Sequence, residues 1–344
     1  MTEYRFDLGS IVSQAKSADL AALRDFFLND PTRPLVATGS GGAEQVADFA
    51  ALLYGARCGM ATAVSPYTLN SYSDEALKTS KLLLVSSGGH NNDVVFAARR
   101  GLSLIPGWTA SFTHSRSDRN EVRKLFLRSG AGLSADIPFS HPRDGFVSIS
   151  TPLGYFAQLC CAFDPDCDLD RYSAVPEVPF TVIRNDGTPL TLDDLRDVKS
   201  FTILHGSWGR PVAASLEGKL VESGAAAASV SDYRSHCHGR FIFTSNHLDD
   251  SAVVLVVSPR ERDIVERTRK FLPPQTRLVI IETEADGPVA SFDLLVRATC
   301  FFLSYTDSIG VDPMSPSNPG RIDKRVPMWI PFMSEMKKNG PLAI

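Results

Sequence analysis

The chain lacks a surplus of positive charge. Its 344 residues carry 35 Lys and Arg against 39 Asp and Glu, a formal net charge of −4. A broad electrostatic surface for nucleic acid is therefore not expected. It also lacks a cysteine framework: Cys58, Cys160, Cys161, Cys167, Cys237 and Cys300 include no C-x-x-C pair, which fits a reducing compartment. Cys160 and Cys161 lie inside an apolar run and read as core packing. No apolar run of bilayer-spanning length stands out. The opening Met-Thr-Glu-Tyr-Arg-Phe-Asp has no apolar core of the signal-peptide kind. A cytoplasmic protein without a membrane or nucleic-acid partner is expected. What is present fits a globular protein: 43% of residues are hydrophobic and 22% charged, and the length allows two ordinary domains.

The stretch Phe201–Gly239 organises the rest. An apolar strand pattern at Phe201–Leu204 runs into the turn Gly206-Ser207-Trp208-Gly209. A helical pattern follows from about Pro211, with Gly224 placed to close it. A strand feeding a small polar turn and a helix N-terminus is a recipe for holding an anion, because the first helical NH groups have no intrahelical partner. Lys219 and Glu222, three apart, share a helix face. They are either a solvated pair or an acid and a base beside an anion cradle. His238-Gly239 follows in a polar loop.

Taken in order, residues 8–30 predict a helix ended by Pro31. Residues 35–55 repeat the strand–turn–helix plan, with Gly39-Ser40-Gly41-Gly42 as the turn. The dinucleotide fingerprint fails there, since Glu44 stands at the third glycine position. Leu82–Val85 predicts a buried strand leading into Ser86-Ser87-Gly88-Gly89-His90-Asn91, a longer and more polar cradle ahead of a helix. His90 is either an exposed loop side chain or part of that cradle. Four cations between Arg119 and Arg128 read as a solvated helix face. Ser150 or Thr151 either caps an apolar helix running through Phe163 or faces a ligand. Residues 164–199, acidic and turn-rich at the start, read as linker rather than as a metal site. Strands then alternate with helices to Tyr305, so both halves imply parallel sheets. The tail from Asp312 is proline-rich and includes Lys324.

Across roughly residues 33–326 this order of elements resembles the tandem sugar isomerase (SIS) domain proteins, particularly the isomerase half of glucosamine-6-phosphate synthase and related phosphosugar isomerases, deaminases and deglycases. The resemblance implies an α/β fold of two three-layer αβα domains related as a pseudo-repeat. Its divisions are an N-terminal helix (1–32), a first SIS domain (33–165), a linker (166–199), a second SIS domain (200–310) and a C-terminal tail (311–344). It implies sugar-phosphate contacts from Gly39, Ser40, Gly41, Ser86, Ser87, Gly88, Asn91, Ser150 and Thr151. Lys219-Leu220-Val221-Glu222 matches the family's Lys-Leu-x-Glu helix, His238-Gly239 its His-Gly loop, and Lys324 its tail lysine. Gly88 stands where the family phosphate loop has a second Ser, and Asn91 where it has Thr. His236-Cys237-His238 offers too few partners for a metal, so no metal or cofactor is expected. Residue 2 is Thr, so the glutamine-dependent amidotransferase half is not expected.

The implied chemistry acts on a phosphosugar or amino-sugar phosphate. His238 opens the sugar ring, Glu222 moves a proton between C1 and C2, Lys219 steadies the oxyanion, and Lys324 closes the site or forms a transient imine. The rival reading is a catalytically silent SIS module that senses a sugar phosphate. No appended DNA-binding helix-turn-helix is evident, which argues against a transcription regulator. The resemblance also implies a homodimer, with the histidine loop contributed across subunits.

Overall fold

The computed structural model describes residues 6–141 and 144–316. Lys324 and all but the start of the expected tail lie outside the described residues. The single helix expected over 8–30 is two, α1 (Leu8–Ser17) and α2 (Ala21–Leu28). The break follows from Asp19, whose carboxylate accepts the Ala21 NH at 3.2 Å and offers the backbone a turn in place of a continuous helix.

The first sheet unit comprises β1 (Leu35–Gly39), α3 (Gly42–Arg57), β2 (Ala61–Val64), α4 (Pro66–Leu69), α5 (Asp74–Lys78), β3 (Lys81–Val85), α6 (Asn92–Leu104), β4 (Thr109–Thr113), α7 (Glu121–Ser129), β5 (Leu133–Asp136) and α8 (Ser150–Phe163). The second comprises β6 (Thr181–Arg184), β7 (Ser200–His205), α9 (Arg210–Glu222), β8 (Ala227–Asp232), α10 (Tyr233–Ser235), α11 (Phe241–Asn246), β9 (Ser251–Val257), α12 (Arg262–Phe271), β10 (Arg277–Glu282) and α13 (Pro288–Ser308). The sheets are ordered β2-β1-β3-β4-β5, all parallel, and β6-β10-β9-β7-β8, parallel except for β6. β1, β3, β4 and β9 are buried along their whole length. The near-continuous apolar runs of β3 and β9 are what a sheet covered on both faces requires, whereas β4 buries three hydroxyl residues, Thr109, Ser111 and Thr113.

β6 corrects the sequence expectation for residues 166–199. Thr181–Arg184 pairs antiparallel with β10, Arg277 opposite Arg184, so this part of the expected linker is an edge strand. Its four-residue length and the Asp186-Gly187 turn after it gave only a weak strand signal.

One hydrophobic core runs through both units. Phe49 of α3 stacks on Phe156 of α8 at 4.3 Å, and Arg210 of α9 forms an ion pair with Asp48 of α3. Helices α3, α8, α9 and α13 pack against one another between the sheets. By length and composition α13, with 21 residues, is apolar enough to cross a membrane, contrary to the expectation that no such segment exists. Here it is a core helix, with Phe292, Phe301 and Tyr305 at 0% exposure.

Lys81, at 0% exposure, is a buried cation with a structural task. Its ammonium donates to the carbonyls of Phe26 (2.9 Å), Phe27 (3.0 Å) and Asn29, completing the C-terminal end of α2. Burial lowers its pKa. Lys81→Met strands those carbonyls. The expected loss is about 1–3 kcal/mol, seen as a lower denaturant midpoint at unchanged slope.

Candidate active site

In the first sheet the chain leaves β1 toward β2 on one side and returns to β3 on the other. This is a switch point, where open α/β sheets leave a crevice beyond the strand ends. A cavity of about 240 Å³ occupies it, lined by Ser40 after β1, by Ser86, Ser87, Gly88, His90 and Asn91 after β3, and by Ser148 and Thr151 at the start of α8. Six of the nine expected contact residues thus meet at one cavity. Gly39 is buried at the end of β1, Gly41 is the residue before α3, and Ser150 is buried, so these three are not among the lining residues.

The loop after β3 shows why two positions depart from the resemblance. A Cβ at Gly88 would lie 2.4 Å from His90 Cε1, so the imidazole lies against the glycine where a serine side chain would project. Asn91 is the N-cap of α6, its Oδ1 accepting the NH groups of Asp93 (3.0 Å) and Val94 (3.2 Å). Its Nδ2 donates to Ser40 Oγ at 3.3 Å, and Gly89 NH donates to Ser86 Oγ at 3.2 Å.

Neither Ser150 nor Thr151 caps α8. The residue before the helix is Ile149, which makes no side-chain cap. Asp144, absent from the sequence reading, does that work. Its carboxylate accepts the NH groups of Ser150 (2.9 Å) and Thr151 (3.0 Å) and the hydroxyls of Ser148 (3.0 Å) and Thr151 (3.0 Å). Burial alone raises its pKa; these bonds, with His141 beside it, outweigh that and hold it below the usual carboxylate range. His141 Nε2 lies 3.1 Å from Thr151 Oγ1. Asp144 precedes the helix by six residues, outside any capping-box spacing, so no sequence signal marked it. Asp144→Asn is expected to cost about 1–2 kcal/mol, as loss of a cap does. The part of its contribution due to ionisation is present above the ordinary carboxylate pKa and fades as pH falls through the lowered one. Comparing melting curves of the two proteins from neutral to acid pH checks both statements.

Tyr155 lines the cavity, another residue with no sequence signal beyond its place in an apolar helix. Its ring stacks on His114 with centroids 3.6 Å apart, and His114 Nε2 lies 2.9 Å from Gln158 Oε1. Burial, opposed only in part by Gln158, lowers the His114 pKa to about 3, so the ring is neutral at pH 7.

On the second half, Lys219 is 6% exposed near the end of α9 and donates to Ser215 Oγ at 2.5 Å. Burial lowers its pKa to about 8, against the raising charges of Glu222 and Asp144. Lys219 therefore feels the carboxylate that orders the cavity's α8 wall. Glu222 is exposed on the last turn of α9, yet its carboxyl is shielded enough that desolvation raises its pKa, opposed by Lys219. His238 is exposed in the irregular turn His236–Arg240, while His236 is 1% exposed. Among the described residues no group of three or more His, Cys, Asp or Glu is placed to hold a metal ion.

The turn that leads the second unit is filled, contrary to the expected anion cradle. Trp208 is 5% exposed, and a Cβ at Gly206 would lie 2.0 Å from Glu261 Oε1. That carboxylate also accepts the Ser258 NH at 3.0 Å. The turn after β7 is thus occupied by a carboxyl group of the chain's own, and no residue of it lines the cavity at the first sheet's switch point.

The fold and this cavity define a class of αβα architecture, the sugar isomerase-type fold. The chain is similar to solved structures of tagatose-6-phosphate ketose/aldose isomerase from Escherichia coli (TM-score 0.66, 18% identity, covering 86% of this chain and 89% of that one). It is also similar to glucosamine-6-phosphate deaminase from Thermotoga maritima (0.63, 15%, 91% and 97%). A third likeness is to the C-terminal domain of glucosamine-fructose-6-phosphate aminotransferase from Francisella tularensis (0.60, 11%, 89% and 94%). At these identities the likeness is one of fold. No protein-family model matches the chain, and no curated protein matches it.

Proposed function

We propose that the chain is an enzyme acting on a phosphosugar or amino-sugar phosphate, by isomerisation or by release of an amine. The observation that carries this reading is the hydroxyl-lined cavity at the first switch point, with Lys219 of the second unit within electrostatic range of Asp144 on its α8 wall. The phosphate lies against Ser40 and Ser86, and the sugar extends toward Thr151. Glu222, its pKa raised by desolvation, carries the proton between C1 and C2. Lys219 faces the oxyanion that forms as the proton leaves carbon. His238 opens the ring, and Lys324 acts from the tail.

His238 is exposed and followed by exposed Phe241, Ile242 and Phe243. An apolar triplet beside a catalytic histidine suits a homodimer in which the histidine serves the partner's cavity. Thermal-shift screening against sugar phosphates, followed by turnover assays on the ligands that stabilise, tests the function. Stabilisation with turnover supports the enzyme; stabilisation without product identifies a sensor and removes the proposed chemistry.

A further inference from the structure

We propose that Cys161 and Cys167 are a redox pair, which hydrogen peroxide converts reversibly to a disulfide that pins the C-terminal end of α8 to the segment leading into the second unit. The pair lies along α8 from the sugar-phosphate cavity, about 15 Å of helical rise from Thr151, and its chemistry holds whatever that cavity binds.

Successive helical residues point about 100° apart, so Cys160 and Cys161 face different ways. Cys160 is at 0% exposure, with its Sγ 3.6 Å from the Pro288 carbonyl of α13. Cys161 looks instead to the turn that follows the helix. The Asp164 NH closes onto the Cys160 carbonyl at 2.8 Å, and the Cys167 NH onto the Asp164 carbonyl at 3.1 Å. Asp164 and Pro165 are the residue types that favour the first two positions of such a turn. The chain is thereby folded back over the last turn of α8, and Cys167 Sγ lies 3.9 Å from Cys161 Sγ. Beyond the turn the chain stays held. The Leu169 NH donates to the Cys167 carbonyl at 2.9 Å, Leu169 itself is buried, and Asp170 pairs with Lys16 of α1. The backbone therefore keeps the two sulfurs together. Bonded sulfurs lie about 2 Å apart, so closure asks for a movement of about 2 Å from a turn whose Cys167 is only half-buried.

The surroundings distinguish the two thiols. Cys167 donates its proton toward Cys161, which favours the thiolate on Cys161. Lys16 acts the same way, as does Arg24, whose guanidinium donates to the carbonyls of Cys161 and Ala162, while burial and Cys160 oppose them. The Cys161 thiol is held below its usual range, and the shared hydrogen bond, with burial, pushes Cys167 up. Cys161 attacks and Cys167 resolves. The Cys161 thiolate displaces hydroxide from one peroxide oxygen: an S–O bond forms, the O–O bond breaks, and the hydroxide takes a proton to leave as water. Cys167, giving up its proton, then attacks the Cys161 sulfur. The S–S bond forms, the S–O bond breaks and a second water leaves. Two thiols lose two electrons, and one peroxide is reduced to two waters.

The full chain, treated with a small molar excess of hydrogen peroxide at neutral pH, then blocked with N-ethylmaleimide and cleaved before Asp164 and Asp166 without reduction, tests this. The segment ending in Phe163 is expected to stay joined to the one carrying Cys167, with fragmentation placing the bond at Cys161, and dithiothreitol should separate them and return both thiols. Cys160→Ala should keep the cross-link. Cys167→Ser should abolish it and leave Cys161 as a sulfenic acid, labelled by dimedone about 5-fold or more above the wild type. If Cys167→Ser fails to fold, the wild-type mapping decides alone. Cys161 and Cys167 both taking maleimide while the exposed Cys237 is oxidised, a cross-link through Cys160, or an oxidised pair that dithiothreitol does not restore, overturns the proposal and leaves the sugar-phosphate reading untouched.

Discussion

Glu222→Gln is expected to lower turnover by about 10²–10⁴-fold while sugar-phosphate affinity stays within about 3-fold, as loss of a positioned general base does. The amide is close in size to the carboxyl, so α9 keeps its packing. What disappears is a group whose pKa desolvation has moved toward neutrality, with Lys219 restraining the shift. A carboxyl so placed can both take a proton from carbon and return it. Steady-state rates and titration calorimetry on the same preparation separate the two effects. Wild-type turnover in a folded Glu222→Gln protein removes Glu222 from the mechanism.

Lys219→Met is expected to stabilise the fold and abolish turnover together. Lowering a buried lysine from its ordinary range to about 8 corresponds to about 3 kcal/mol of unfavourable burial at neutral pH. Methionine fills a similar volume without a charge, so the midpoint of thermal unfolding should rise by on the order of 5 °C. The sign follows from linkage. Between about pH 8 and the ordinary lysine range the unfolded chain binds the proton and the folded chain does not, so this lysine's contribution makes stability rise with pH. The gap between variant and wild type should therefore be widest below pH 8 and close above it. Wild-type turnover should fall as pH rises through about 8, where the ammonium facing the oxyanion is lost. A variant that melts lower than wild type at pH 7 and closer to it at higher pH would remove the electrostatic reading of Lys219.

The strands were legible where both faces are covered. Leu82–Val85 and residues 252–257 are apolar runs bounded by polar turns, and they fall within β3 and β9, each of which begins one residue earlier. β5 and β6 were not legible. Leu133–Asp136 is only partly buried, and Thr181–Arg184 is a four-residue edge strand held by β10 nearly one hundred residues downstream. Local pattern carries little of such a pairing. At the site, Ser40 and Ser86 were marked by strand–turn–helix grammar. Asp144, Ser148 and Tyr155 were not, because their roles depend on how α8 is seated against the first sheet. The same grammar misled at Gly206–Gly209, where an internal carboxylate from Glu261 occupies the turn. A turn that can hold an anion and a turn that holds one of its own look alike in sequence.

Where a sugar phosphate sits decides whether the first-sheet cavity and Glu222 serve one reaction. A crystal structure of the full chain with glucosamine 6-phosphate is predicted to show the phosphate hydrogen-bonded to Ser40 and Ser86, with C1 and C2 within contact of a Glu222 carboxylate from the same or a partner subunit. Ligand bound in that cavity with every Glu222 of the assembly out of reach of C1 and C2, or ligand bound at another place altogether, would contradict it.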